Sequence, residues 1–216
     1  MSALPTCPRC AVVLRPPGFW SSAWQCDRHG DVHPLHLAPV PTQAALDRLV
    51  ADSKVPVWVP SPLPTGWTIT GVGGAGDDRT GIRASLVAIS GPHPKGGPAD
   101  VLLIAEEPGI GLGARFAGLV GTDPGADPDG PPDAKLEAAG HPTALWRTAT
   151  GDNTPCVYAG EAKGLWLWVV VWPDEGLQVV NSIVLHDMRD APLPELELVY
   201  GASTPRLVAD QAPLEG

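Results

Sequence analysis

Four residues near the start of the chain carry the clearest chemistry: Cys7-x2-Cys10, then fifteen residues, then Cys26-x2-His29. Zinc takes four sulfur or nitrogen ligands in a tetrahedron, and two short-spaced pairs supply them from two tight turns. An x2 spacing makes a knuckle in which both donors point the same way and backbone N–H groups face the sulfur. Pro8 inside the first pair and Gly30 just after the second suit such turns. The spacing predicts a Cys3His zinc ribbon over residues 1–40, with Ala11–Leu14 and Ser22–Gln25 pairing as short strands and Trp20 and Trp24 covering the knuckles. His33 and His36 lie close enough to compete for the fourth position. His29 is the expected ligand because it completes the second x2 pair. With all four ligands from protein, no position is left for water, and the metal is structural. Forty residues bury too little area to fold alone, so the Zn2+ must supply the missing stability.

Other constellations are weaker. Gly109-x-Gly111-x-x-Ala114 follows an apolar strand and formally matches a dinucleotide fingerprint. Glu106, Glu107 and Pro108 stand where the strand should meet a pyrophosphate, and no second βαβ unit follows. Asp123, Asp127, Asp129 and Asp133 lack the spacing and the twelfth-position Glu of a calcium loop, so a solvated acidic loop is expected. His93, His141 and His186 have no partner spacing for a triad, and Cys156 reads as a small buried apolar residue. No catalytic residue is assigned. The most open alternative is a pocket formed by Glu106, Glu107, Arg115 and the flexible Gly109–Gly118 loop, serving an enzyme or a small-ligand site with the ribbon as scaffold.

The bulk of the chain must position these groups. The 216 residues include 25 Gly and 26 Pro, nearly a quarter of the chain, yet 44% are hydrophobic and eight are Trp. That balance argues for a packed, turn-rich β fold rather than disorder. The fold expected is α+β: the small ribbon, then a helical connector over residues 41–56, then a mainly antiparallel β-rich domain over 57–216 with one or two short helices. Thr42 is placed to cap the helix, with Ala45, Leu46, Leu49 and Val50 on one face and Pro56 ending it.

Strands are expected at Trp67–Val72, Ala84–Ser90, Asp100–Ala105, Lys135–Ala139, Ala144–Thr148, Cys156–Ala159 and Leu165–Trp172, with Val57–Trp67 as an extended edge piece. Turn clusters GGAGDDRTG and SGPHPKGGP separate the first three. In LWLWVVVW both alternating faces are apolar, so that strand is central and covered on both sides. Leu177, Val180, Ile183 and Val184 favour a helix followed by a strand.

The net charge is −10; residues 1–40 carry Arg9, Arg15 and Arg28 against Asp27 and Asp31, so the rest carries the acidic excess. An acidic body with a near-neutral ribbon argues against nucleic acid as partner. No apolar run is long enough for a membrane helix, and MSALPTCPRC lacks a signal-peptide pattern, so a cytoplasmic location is expected, where thiols stay reduced. The expected role is a non-enzymatic interaction or regulatory protein with a protein partner, a small ligand being the alternative.

The runs CPRC…WQCDRHGDVHPL, VPVWVPSPLPTGW, AGDDRTG, LLIAEEPGIGLGARFAG and AGEAKGLWLWVVVWP together resemble a family of uncharacterised actinobacterial proteins of about this length. The resemblance spans nearly the whole chain and implies bacterial origin; it brings no activity and no site residue with it. LPTGW and the strand order after it are similar, more distantly, to small α+β domains of bacterial regulatory and lipoprotein-type proteins.

Overall fold

A computed structural model describes residues 4–19, 21–125, 130–148, 155–173, 177–181, 183–190 and 198–207. Trp20, Asp127, Asp129 and the tail from 208 lie outside the described residues. The elements run β1 (Trp24–Cys26), β2 (Gly30–Val32), β3 (Leu35–Leu37), α1 (Gln43–Asp52), β4 (Trp58–Pro60), β5 (Thr68–Asp77), β6 (Gly81–Pro92) and β7 (Pro98–Glu106). There follow α2 (Leu112–Phe116), β8 (Ala134–Ala138), β9 (His141–Arg147), β10 (Cys156–Ala162), β11 (Leu165–Trp172), α3 (Leu177–Val180), β12 (Val184–Asp187) and a 3-10 turn at Pro205–Leu207.

β1 and β2 form a two-stranded ribbon, and the other ten strands form one sheet in the order β3-β5-β6-β7-β11-β10-β9-β8-β12-β4. Every pairing is antiparallel except β8 with β12. The sheet curls, bringing β4 at its far edge against β6 and β7. β11 sits at its centre, and its alternation sorts side chains into two cores. Leu167, Val169 and Val171 join Val87, Ile89, Val101 and Leu103 under α1 and β4, while Trp168 and Val170 join Leu86, Leu102 and Ile104 under α2. Both faces of the central strand are dry, as its sequence requires.

α1 begins where its sequence places it, with Thr42 Oγ1 accepting from the Ala45 N–H at 3.2 Å. Its buried Leu46 and Leu49 pack on the first core. The helix-then-strand reading of residues 177–187 is also what forms, as α3 and β12. Cys156 is 1% exposed within the core, as expected of a small apolar residue.

Two local expectations are corrected. The turn placed over GGAGDDRTG begins later, because β5 continues through Gly73, Gly74, Ala75 and Gly76 to Asp77. A Cβ on Gly73 would lie 2.5 Å from Leu37 Cδ2, and one on Gly74 would lie 2.8 Å from both Leu49 and Ile82. These glycines are strand residues crowded by neighbours rather than turn formers. In the ribbon, Trp24–Cys26 pairs chiefly with Gly30–Val32 across the second knuckle. Among the described residues, a single β-bridge, Arg15–Gln25, joins that strand to the first knuckle's segment.

The first forty residues are stitched to the body. β3 adds a strand to the ten-stranded sheet by pairing with Gly73–Ala75 of β5, and Leu35 is buried in the second core. At the other end of the sheet, the carboxylate of Asp187 is fully enclosed, accepting from Val57 N–H and pairing with Lys163 at 2.9 Å and Arg189 at 2.7 Å. Although burial opposes it, those partners hold this carboxyl down at about 2.

Candidate metal centre

Each knuckle ends in a residue whose backbone turns left-handed: Ala11 at φ 58° after Cys10, and Gly30 at φ 68° after His29. The two turns match in their sulfur contacts. Backbone N–H groups of Arg9 and Cys10 face the thiol of Cys7, and those of Arg28 and His29 face the thiol of Cys26. Leu14 packs with Cys7 and Cys26 to make a small apolar floor, and Trp24 and Val32 lie against it.

The turns bring three sulfurs and one imidazole nitrogen together. The donor atoms of Cys7, Cys10, Cys26 and His29 all lie within 4.8 Å of one another. His29 Nδ1 is 3.5 Å from Cys7 Sγ and 3.6 Å from Cys26 Sγ, and Cys10 Sγ is 3.6 Å from Cys26 Sγ. These four residues could bind a metal ion. His33 is elsewhere, with Nδ1 3.5 Å from Thr80 Oγ1, and His36 meets Trp24 edge-on.

The electrostatics of the donors divide: burial opposes ionisation of Cys7, while Cys26 and His29 are shifted toward their ligating forms. Burial pushes the Cys7 thiol up to about 12, against the pull of the Arg9 and Cys10 N–H groups. For Cys26 burial also opposes ionisation, but the N–H groups of Arg28 and His29 prevail and the thiol pKa falls below its usual value. Burial, then the charges of Arg9 and Arg28, lower His29 below the ordinary histidine range. Its neutral form, the one that ligates metal, is favoured.

The Glu106–Gly118 segment folds back on α2 and is held by the ribbon. Glu106 is completely buried and turns back on α2: Oε2 accepts from Leu112 N–H at 2.8 Å and Oε1 from Gly113 N–H at 3.2 Å. Burial pushes this carboxyl up to about 7, although the two amides oppose it. Glu107 pairs with Arg83 at 2.7 Å, and Arg115 lies over the Phe116 ring at 4.8 Å. The glycines the fingerprint would give to a pyrophosphate hold the ribbon instead. Arg9 reaches from the first knuckle to donate to the carbonyls of Gly109 at 2.5 Å and Ile110 at 3.1 Å.

Asp123 accepts from Gly109 N–H and Trp166 Nε1, and Asp133 from Arg147 N–H, so both described members of the acidic loop serve the backbone and core. A cavity of about 850 Å3 lies away from all of these, between α1 and the β5–β6 hairpin. Sequence patterning gave no sign of it, because its walls come from segments far apart in the chain. His93 is buried beside Lys95 N–H at 3.2 Å, and no triad forms around it among the described residues.

The fold and site thus define a β-rich protein with few helices and a Cys3His cluster near its N-terminus. The chain belongs to the family of unknown function DUF6758, which matches residues 1–207. No curated protein and no solved structure matches it. No helix among the described residues is long and apolar enough to cross a membrane.

Proposed function

We propose that this is a non-enzymatic, cytoplasmic protein whose zinc ribbon, residues 1–40, presents a partner-binding surface on a β-rich body, residues 57–216, through the connector 41–56. The observation that carries the metal half is the donor spacing. A tetrahedron with Zn–S bonds of ~2.3 Å and a Zn–N bond of ~2.0 Å has edges of about 3.8 Å between sulfurs and about 3.6 Å from sulfur to nitrogen. Three of the cluster's six separations, 3.5, 3.6 and 3.6 Å, sit close to those edges, and all six are within 4.8 Å. Cys7, Cys10, Cys26 and His29 would hold the ion and leave no position for water, which makes it structural. Three thiolates around Zn2+ leave one net negative charge, and Arg9 and Arg28 beside it offset that charge. Free thiols at every cysteine fit a reducing compartment.

The interaction half rests on where apolar surface is exposed. Among the described residues, Leu4, Val13, Phe19 and Val40 account for four of the six exposed large hydrophobic side chains, though they come from the first forty residues of 216. The Thr6–Val13 bridge sets Leu4 and Val13 on one face of the ribbon. A region that exposes such side chains more densely than the body, which shows Val120 and Val199, is suited to receive a partner. The acidic body favours a protein partner over nucleic acid.

Two measurements test this. Metal analysis of protein prepared without added zinc is expected to give close to one zinc per chain; a metal-free chain with a folded ribbon would overturn the zinc reading. The triple variant Leu4→Ser/Val13→Ser/Phe19→Ser is expected to keep its zinc and lose proteins that wild type cross-links in cell extract. An unchanged cross-linking pattern would remove the interaction reading.

A further inference from the structure

Arg9 touches both the metal knuckle and the body. Its backbone N–H faces Cys7 Sγ, while its guanidinium holds the carbonyls of Gly109 and Ile110. Those carbonyls belong to a turn with no regular structure of its own. Gly109 and Gly111 both adopt left-handed backbone, at φ 87° and 83°, so the turn has wide conformational freedom unless something holds it. Three groups do. Arg9 takes the carbonyls, Asp123 takes Gly109 N–H at 3.1 Å, and buried Glu106 takes the N–H groups of Leu112 and Gly113. Of the three, only Arg9 comes from the ribbon. The fit is close on the ribbon side: a Cβ on Gly111 would stand 3.1 Å from Arg9 Cγ.

We propose that Arg9 couples metal occupancy of the Cys7–Cys10–Cys26–His29 site to closure of the Gly109–Gly113 turn, so that loss of the metal opens the turn and exposes the end of β7. This rests on the zinc reading above. The reason is geometric. Arg9 keeps its guanidinium on the turn best while the knuckle fixes its backbone; the knuckle has four metal ligands, a few backbone hydrogen bonds such as Cys7 N–H to Val12 O and Ala11 N–H to Cys7 O, and few apolar contacts. A side chain with two carbonyl bonds to one region and a backbone bond to a metal ligand joins two equilibria, and the coupling must be reciprocal. Opening the turn weakens the metal as much as losing the metal loosens the turn. Arginine suits the position because its fork spans two adjacent carbonyls, which lysine would contact singly.

The test is amide hydrogen exchange of the full chain, with zinc bound and after chelation, for wild type, Arg9→Ala and Arg9→Lys. In wild type, chelation is expected to speed exchange at Leu112 and Gly113 about tenfold, with Val101–Ile104 of β7 unchanged. In Arg9→Ala the turn is expected to exchange fast with zinc bound, to respond no further to chelation, and to bind zinc about tenfold more weakly. Arg9→Lys is expected to fall between. If zinc binds and its removal leaves Leu112 and Gly113 protected, the coupling is overturned while the zinc site stands. If no zinc binds, the underlying metal reading fails instead. If Arg9→Ala keeps both full zinc affinity and the chelation response, Arg9 is not the link.

Discussion

On the zinc reading, the ribbon and the ten-stranded body are stabilised by different physics, although they share a sheet. In the body, β11 buries Val169, Val170 and Val171 completely, and the cores on its two faces draw on strands across the chain. In the ribbon the buried apolar floor is Leu14 with two cysteines, and Trp24 and Val32 are only partly buried. A region that small cannot offset the entropy of its own ordering by apolar burial. The comparison teaches that one chain uses area where it has length and donor atoms where it does not. It also explains why the ribbon can show apolar side chains outward: it does not depend on them for folding.

The sharpest way to break that comparison is to remove one ligand. Cys26→Ser should abolish metal binding and with it stabilisation on the order of 10 kcal/mol in the ribbon. Amide exchange is expected to show residues 4–32 losing protection while β6, Val101–Ile104 of β7 and β11 keep theirs. The amides of Gly73–Ala75 opposite β3 should be the boundary where protection falls away. Collapse of protection across β11 would mean the two regions are one cooperative unit.

Glu106 sharpens the contrast through pH. Its folded value of about 7 lies above the usual 4.5, so the fold favours the neutral acid. The stability this gives is fully present below about pH 4.5 and is lost as pH rises through 7. That window corresponds to roughly 3 kcal/mol. Glu106→Gln, neutral at every pH, is expected to flatten the wild-type decline across this window and to be the more stable protein above pH 7. Denaturant midpoints with zinc in excess would show it, and equal slopes for the two proteins would contradict it. The ribbon should move oppositely, since its thiols and imidazole must lose protons to bind metal.

The smallest effect tests the knuckle turns. Ala11 adopts φ 58° where the matching position of the second knuckle is Gly30. A side chain there costs about 1 kcal/mol, so Ala11→Gly should tighten zinc binding several-fold and leave the body's unfolding midpoint unchanged. A competition titration against a chelator of known affinity would read the change; weaker binding would show the turn does not carry that strain.

The Cys3His cluster was legible from the sequence because each x2 knuckle is local and points its two donors the same way. The helix cap at Thr42, the central β11 and the succession of α3 and β12 were legible for the same reason, since capping and apolar alternation act over a few residues. What holds the Glu106–Gly118 segment was not legible, because its glycines looked free. Their partners, Arg9 from a hundred residues upstream and Asp123 downstream, meet them only in the folded chain. The glycines of β5 misled in the same way, for what forbids a side chain there is contact with Leu37, Leu49 and Ile82. Spacing along the chain determined the donor set and the strands. Which carboxylate is buried, which glycine is crowded and which arginine ties the ribbon to the body were decided by tertiary packing, because each depends on atoms that sequence neighbours do not supply.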